Sequence, residues 1–282
     1  GAVPEKVGIQ ASGNIIKNVK SVIVPNTGGL KGIPAAAAAG IVGGKADRML
    51  EVISEVTEEE KAEMRRYLET VPIDVKPLSD GDKLDILITV SAGDHEAQVR
   101  VSRTHCNISM IVKDGETVYQ EEAAFCQEET PKADRSLLSV KNIIQFAQEV
   151  DLEDVREVLD RQITYNYRIA REGMEHDWGA NIGSILVKTY GDDVKIMCKA
   201  MAEGGSGARM RGCELPVVIN SGSGNQGITV SVPVIVYSEY LKSSREELYR
   251  ELVISNLIAV HIKHGIGPLS AFCGAVSAGC SA

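Results

Sequence analysis

The sequence predicts an α+β protein, a mostly helical body with a small antiparallel-sheet subdomain inserted into it. Three observations carry this. Between Val71 and Glu122 apolar residues alternate with period two (Leu84, Ile86, Ile88 and Val90; Ala97, Val99 and Val101; Ile108, Met110 and Val112), which is the pattern of half-buried strands. On either side the pattern turns helical, with capping residues at the starts of the apolar stripes. Aromatic residues make up only 4% of the chain, whereas Gly and Ala are abundant, and a core of small residues favours close helix packing. The predicted division is a discontinuous body over 1–50 and 133–282 and an insert over 51–132.

In chain order, Val7–Gln10 and Ser21–Val24 read as strands, followed by a loop at Pro25-Asn26-Thr27-Gly28-Gly29. An alanine-rich helix then opens with Pro34 in its first turn, where the missing N–H is harmless. Residues 57–69 form a charged helix opened by Thr57 and Glu60, a capping box. Asp114-Gly115 between two apolar runs predicts a hairpin turn. Residues 139–149 and 151–174 are amphipathic, the second carrying Leu152, Val155, Leu159 and Ile163 behind an Asp151 cap. Two helical pieces follow over 178–203, and Ser244 with Glu247 opens another running through Lys263. The stretch from Leu269 to Ala282 is apolar and rich in small residues, and reads as a chain ending inside a helix.

With 282 residues and a net charge of −9, the chain lacks the basic face that nucleic acid requires. No segment reads as a signal peptide. Lys31, Asn256 and Lys263 interrupt the longest apolar stretches before the roughly 20 residues a membrane span needs. The six cysteines, Cys106, Cys126, Cys198, Cys213, Cys273 and Cys280, are scattered without a Cys-x-x-Cys pair, which points to a reducing compartment and hence the cytoplasm.

The first candidate site is the loop Asn220–Gly227, Asn-Ser-Gly-Ser-Gly-Asn-Gln-Gly, between the apolar runs Leu215–Ile219 and Ile228–Tyr237. Small polar side chains and bare backbone let main-chain N–H groups approach an anion. Gly222, Gly224 and Gly227 also satisfy Gly-x-Gly-x-x-Gly, but a dinucleotide fold needs a clean helix next, and here a β-branched run containing Pro233 follows with no acidic residue at the expected distance. No Gly-Lys-Ser/Thr marks a nucleotide P-loop. Lys17 and Arg209 flank Asn- or Gly-rich segments and are candidates for holding a carboxylate. His105, in Thr-His-Cys-Asn between two strands, is a further candidate, while His261 and His264 have no third metal ligand nearby and read as structural.

Taken together, Lys17-Asn18, Val24-Pro25-Asn26-Thr27-Gly28, Gly32-Ile33-Pro34-Ala35, Ala208-Arg209-Met210, Asn220–Gly227 and Leu269-Ser270-Ala271-Phe272-Cys273 resemble the iron–sulfur L-cysteine desulfidases and the alpha-chain-like L-serine dehydratases. The resemblance covers essentially the whole chain. It implies β-elimination on a small 2-amino acid, L-cysteine or L-serine, giving pyruvate, ammonia and sulfide or water, with a [4Fe-4S] cluster as Lewis acid. It also implies that Ser221, Gly222, Ser223, Gly224, Asn225, Gln226, Lys17, Asn18, Asn26, Arg209 and His105 face the substrate and that Cys273 ligates the cluster. Members of that family extend further at both ends, where the catalytic segment and the remaining thiolates lie. No catalytic residue is therefore assigned here, and the 282-residue chain by itself is expected to be inactive and without a cluster. A homodimer, or a second chain carrying those segments, is the partner this implies. The competing expectations are a non-catalytic module binding an amino acid or another small anion, and an unrelated enzyme of the phosphate-handling kind.

Overall fold

The computed structural model describes residues 2–121, 133–267 and 272–282. It divides into two compact units, Gly1–Lys132 and Ala133–Ala282. In the first, β1 (Lys6–Ala11), α1 (Gly13–Val19), α2 (Gly32–Gly43), α3 (Glu58–Thr70), β2 (Ile73–Pro77), β3 (Asp85–Ala92), β4 (His95–Ser102), β5 (Ile108–Lys113) and β6 (Glu116–Gln120) follow in order. The six strands form one sheet, ordered β2-β1-β3-β4-β5-β6.

The architecture is α+β, with two differences from the expected one. The sheet is mixed, because β1 pairs parallel with β2 and antiparallel with β3. Residues 1–50 also fold with the sheet: β1 is one of its inner strands, and α2 packs on α3. Val7 and Ile9 of β1 pack with Ile86, Ile88 and Val90 of β3 against Ala38 of α2 and Tyr67 of α3. Ser21–Val24 is not a strand and contributes only an isolated bridge between Ile23 and Lys31. Asp114 and Gly115 take φ of 51° and 83° in the β5–β6 turn, the left-handed pair that a tight hairpin requires.

The second unit is helical: α4 (Val140–Glu149), α5 (Leu152–Glu175), α6 (Ile182–Tyr190), α7 (Val194–Met210), α8 (Gly224–Leu241), α9 (Arg245–Ile266) and α10 (Gly274–Ala278). Its helices approach closely where glycines meet. A Cβ on Gly173 of α5 would lie 1.9 Å from the Gly204 carbonyl oxygen of α7, and one on Gly183 of α6 would lie 2.4 Å from the Ala200 oxygen. The run after Gly227, β-branched and bearing Pro233, is helical here. Ser223 caps it, and Ile228, Val230, Val232 and Ile235 are buried, so packing overrides the weak intrinsic propensity. Among the described residues this unit has no named strand, and the Gly-x-Gly-x-x-Gly spacing therefore lacks the strand that a dinucleotide fold places before it.

Candidate functional site

The Gly-Ser loop forms the N-terminus of α8. Ser221 and Gly222 adopt φ of 48° and 79°, turning the chain so that Ser223 becomes the cap, its hydroxyl accepting from the Gln226 N–H at 3.3 Å. The N–H groups of Gly224 and Asn225 have no hydrogen-bond partner among the described residues. An 18-residue helix thus presents free donors and the positive end of its dipole at this point.

Arg209, in the last turn of α7, lies along that first turn. Its Nη1 donates to Asn225 Oδ1 at 3.1 Å. Its Nε is only 2.3 Å from where a Cβ on Gly224 would stand, so the absence of a side chain there is what lets the guanidinium lie on the helix backbone. Arg209 is half-buried, and desolvation pulls its guanidinium below the ordinary arginine value. No carboxylate pairs with it among the described residues. A cation partly removed from water and lacking a counter-ion favours an incoming anion, and its planar fork suits a carboxylate.

Behind this site runs a chain of buried amides that sequence reasoning missed. Gln226 Nε2 donates to Asn220 Oδ1 at 3.0 Å, Asn220 Nδ2 to Asn256 Oδ1 at 2.9 Å, and Asn256 Nδ2 to Gln162 Oε1 at 2.8 Å. Asn166 clamps the strand-like approach to the loop, accepting from Val218 N–H and donating to Val218 O and Ser231 Oγ. Amides on the apolar face of α5, four residues apart at Gln162 and Asn166, were the available signal. Gln226 is wholly buried, and its Oε1, without a hydrogen-bond partner among the described residues, faces Gly274 at the start of α10.

The structure brings Arg209, Ser221, Gly222, Ser223, Gly224, Asn225 and Gln226 together in the helical unit, where Cys273 is the N-cap of α10. Lys17, Asn18, Asn26 and His105 lie in the sheet-containing unit. Lys17 Nζ donates to Asn18 Oδ1 and Asn18 Nδ2 to Asn14 O. Asn26 Nδ2 donates to Ile53 O at 3.1 Å, holding its own loop in place. His105 is exposed in the turn between β4 and β5.

The serine dehydratase alpha chain family matches residues 47–282. The chain belongs to that family. It is 55% identical to a UPF0597 protein of Desulfitobacterium hafniense strain Y51 over 283 residues, covering 99% of this chain and 65% of the relative. UPF0597 proteins of Lachnoclostridium phytofermentans and Treponema denticola are 50% and 42% identical, covering 100% and 99% of this chain and 67% and 66% of those proteins. The chain therefore spans about two-thirds of the length of these relatives. No solved structure matches it.

For a member of the serine dehydratase alpha chain family, the thiols bear on whether a three-thiolate cluster fits. Cys273 and Cys280 are exposed, Cys198 and Cys213 are wholly or partly buried among the helices, and Cys106 sits in the other unit. Desolvation pushes the Cys198 and Cys213 thiols up, away from the thiolate form a metal needs. Cys126 and the segment Leu269–Ala271 lie outside the described residues. Among those described, no three Cys, His, Asp or Glu side chains converge, so a three-thiolate cluster does not fit this set. No helix there is long and apolar enough to cross a membrane.

Proposed function

We propose that the whole protein is a cytoplasmic β-eliminating lyase acting on a small 2-amino acid, L-cysteine or L-serine, and that this chain holds the substrate carboxylate. The observation that carries the reading is Arg209, half-buried and without a carboxylate partner among the described residues, laid against the unbonded N–H donors of Gly224 and Asn225, in a chain of the serine dehydratase alpha chain family.

In such a reaction the Cα proton leaves and the β-substituent departs as hydroxide or hydrosulfide, giving 2-aminoacrylate. That product tautomerises to an imine, which water converts to pyruvate and ammonia. As the Cα proton is withdrawn, negative charge spreads into the carboxylate. Donors already fixed on that carboxylate therefore bind the transition state more tightly than the ground state. Arg209 and the α8 N–H groups provide them without reorganisation, because Gly224 and the buried amides hold their geometry. The Lewis acid implied by the [4Fe-4S] resemblance finds no three-thiolate seat among the described residues.

Pyruvate release from L-cysteine and L-serine by the full protein, purified without oxygen, tests this reading. Arg209→Gln is expected to lower kcat/KM about tenfold or more, the worth of one charge-assisted hydrogen bond, with little change in thermal midpoint. Absence of pyruvate from both substrates would refute the lyase reading.

A further inference from the structure

A cavity of about 270 Å³ opens beside the C-terminus of α7. Trp178, Ile182 and Met210 supply its apolar wall, and Glu203, Ser206 and Arg211 its polar groups. Gly173, Gly204 and Gly207 are among its lining residues and contribute backbone to its wall.

Its charges are of both signs and only partly used. Glu203 Oε2 accepts from the Gly183 N–H at 2.6 Å, which fixes the carboxylate and leaves Oε1 on the Gly207 side, 3.2 Å from where a Cβ on that glycine would stand. Arg211 rests on Gly179, its Nη1 1.8 Å from where a Cβ would stand, so that glycine is what admits the guanidinium. The nearby Asp177 is occupied, its Oδ1 accepting from Gly179 N–H at 2.8 Å and Asn181 Nδ2 at 2.7 Å. Among the described residues the Arg211 guanidinium makes no hydrogen bond, and its charge acts on the Asp177 carboxylate, which the Gly179 and Asn181 bonds and then Arg211 hold below its ordinary value. Glu203 and Arg211 stand about 12 Å apart along the helix axis, at 1.5 Å per residue, and both line the cavity.

We propose that this cavity binds a small zwitterion, an α-amino acid with a short apolar side chain. Its ammonium is received by Glu203 Oε1, its carboxylate by Arg211, and its side chain lies against Trp178. The site is separate from the α8 N-terminus: Arg209 is not among its lining residues, and the proposal stands whether or not the α8 site binds a carboxylate.

Trp178 is the sole tryptophan of the chain, so its fluorescence reports on this cavity directly. Titrating the full chain with L-alanine is expected to give a saturable change. Propionate and ethylamine, each carrying one of the two charges, are expected to bind about tenfold or more weakly, as are Arg211→Gln and Glu203→Gln with L-alanine. Arg211→Gln removes an exposed side chain, and Glu203→Gln keeps an acceptor for Gly183, so both variants should fold. Arg209→Gln should leave the titration unchanged. The proposal is overturned by a signal that does not saturate, by propionate or ethylamine binding as tightly as L-alanine, or by a response that survives Arg211→Gln and disappears in Arg209→Gln.

Discussion

Two glycines in the first turn of α8 separate binding from folding. A Cβ at Gly224 would stand 2.3 and 2.7 Å from Arg209 Nε and Cζ and 2.9 Å from Val217 Cγ2, all side-chain atoms. A Cβ at Gly227 would stand 2.0 Å from the Val218 carbonyl oxygen and 3.0 Å from Ile219 Cα and C, all backbone. Gly224→Ala can therefore be accommodated by swinging Arg209 off the helix end. The affected interaction is a charge-assisted hydrogen bond to bound carboxylate, about 1.5–3 kcal/mol, or roughly ten- to a hundredfold in affinity. Gly227→Ala forces two backbone segments apart. Overpacking of this kind costs up to about 3 kcal/mol, which for a unit of this size lowers the thermal midpoint by about 6–12 °C. Calorimetric titration with L-serine alongside thermal unfolding reads both quantities. Gly224→Ala should lose affinity at a nearly unchanged midpoint, and Gly227→Ala should lose stability. Wild-type affinity in Gly224→Ala would refute the assignment of Arg209.

Ser223→Ala removes the α8 cap and should cost about 1 kcal/mol, seen as a lowered midpoint in thermal unfolding. In the sheet-containing unit, Asp85 is fully buried and paired with Arg100 through two bonds, Nε to Oδ1 at 2.9 Å and Nη2 to Oδ2 at 2.6 Å. Arg100→Ala should destabilise that unit by about 1–3 kcal/mol, because the buried carboxylate keeps only the Asp82 N–H, measurable by denaturant unfolding. Burial and then the hydrogen bond to Glu239 push the Tyr167 phenol from 10.0 up to about 12. The unfolded chain therefore releases this proton first: the contribution is fully present below pH 10.0 and falls away as pH rises towards 12. Tyr167→Phe should show a shallower alkaline loss of stability over that window.

Local chemistry was legible in the sequence and long-range pairing was not. The capping boxes at Thr57–Glu60 and Ser244–Glu247 both form, because each is settled within one helical turn. The Asp114-Gly115 hairpin forms for the same reason. Period two marked β3, β4 and β5 as strands but carries no information on neighbours, so the place of β1 between β2 and β3 was hidden. The α8 run pointed away from helix because six of its residues between Thr229 and Val236 are β-branched and one is Pro233. Burial among neighbouring helices, which is set by the whole unit, decided otherwise. At the candidate site the glycines and serines announced an exposed backbone, but the contact of Arg209 with Gly224 joins two helices and could not be read from either segment alone. The hydrogen bonds that join Gln162, Asn256 and Asn220 were hidden for the same reason.

The central claim is that the first turn of α8 receives a carboxylate, and the most direct measurement is the amide resonances of Gly224 and Asn225 during titration with L-serine. The account predicts that both N–H signals move together and saturate at one dissociation constant, and that the movement disappears in Arg209→Gln. Saturable binding of L-serine with these two amides unmoved would contradict it.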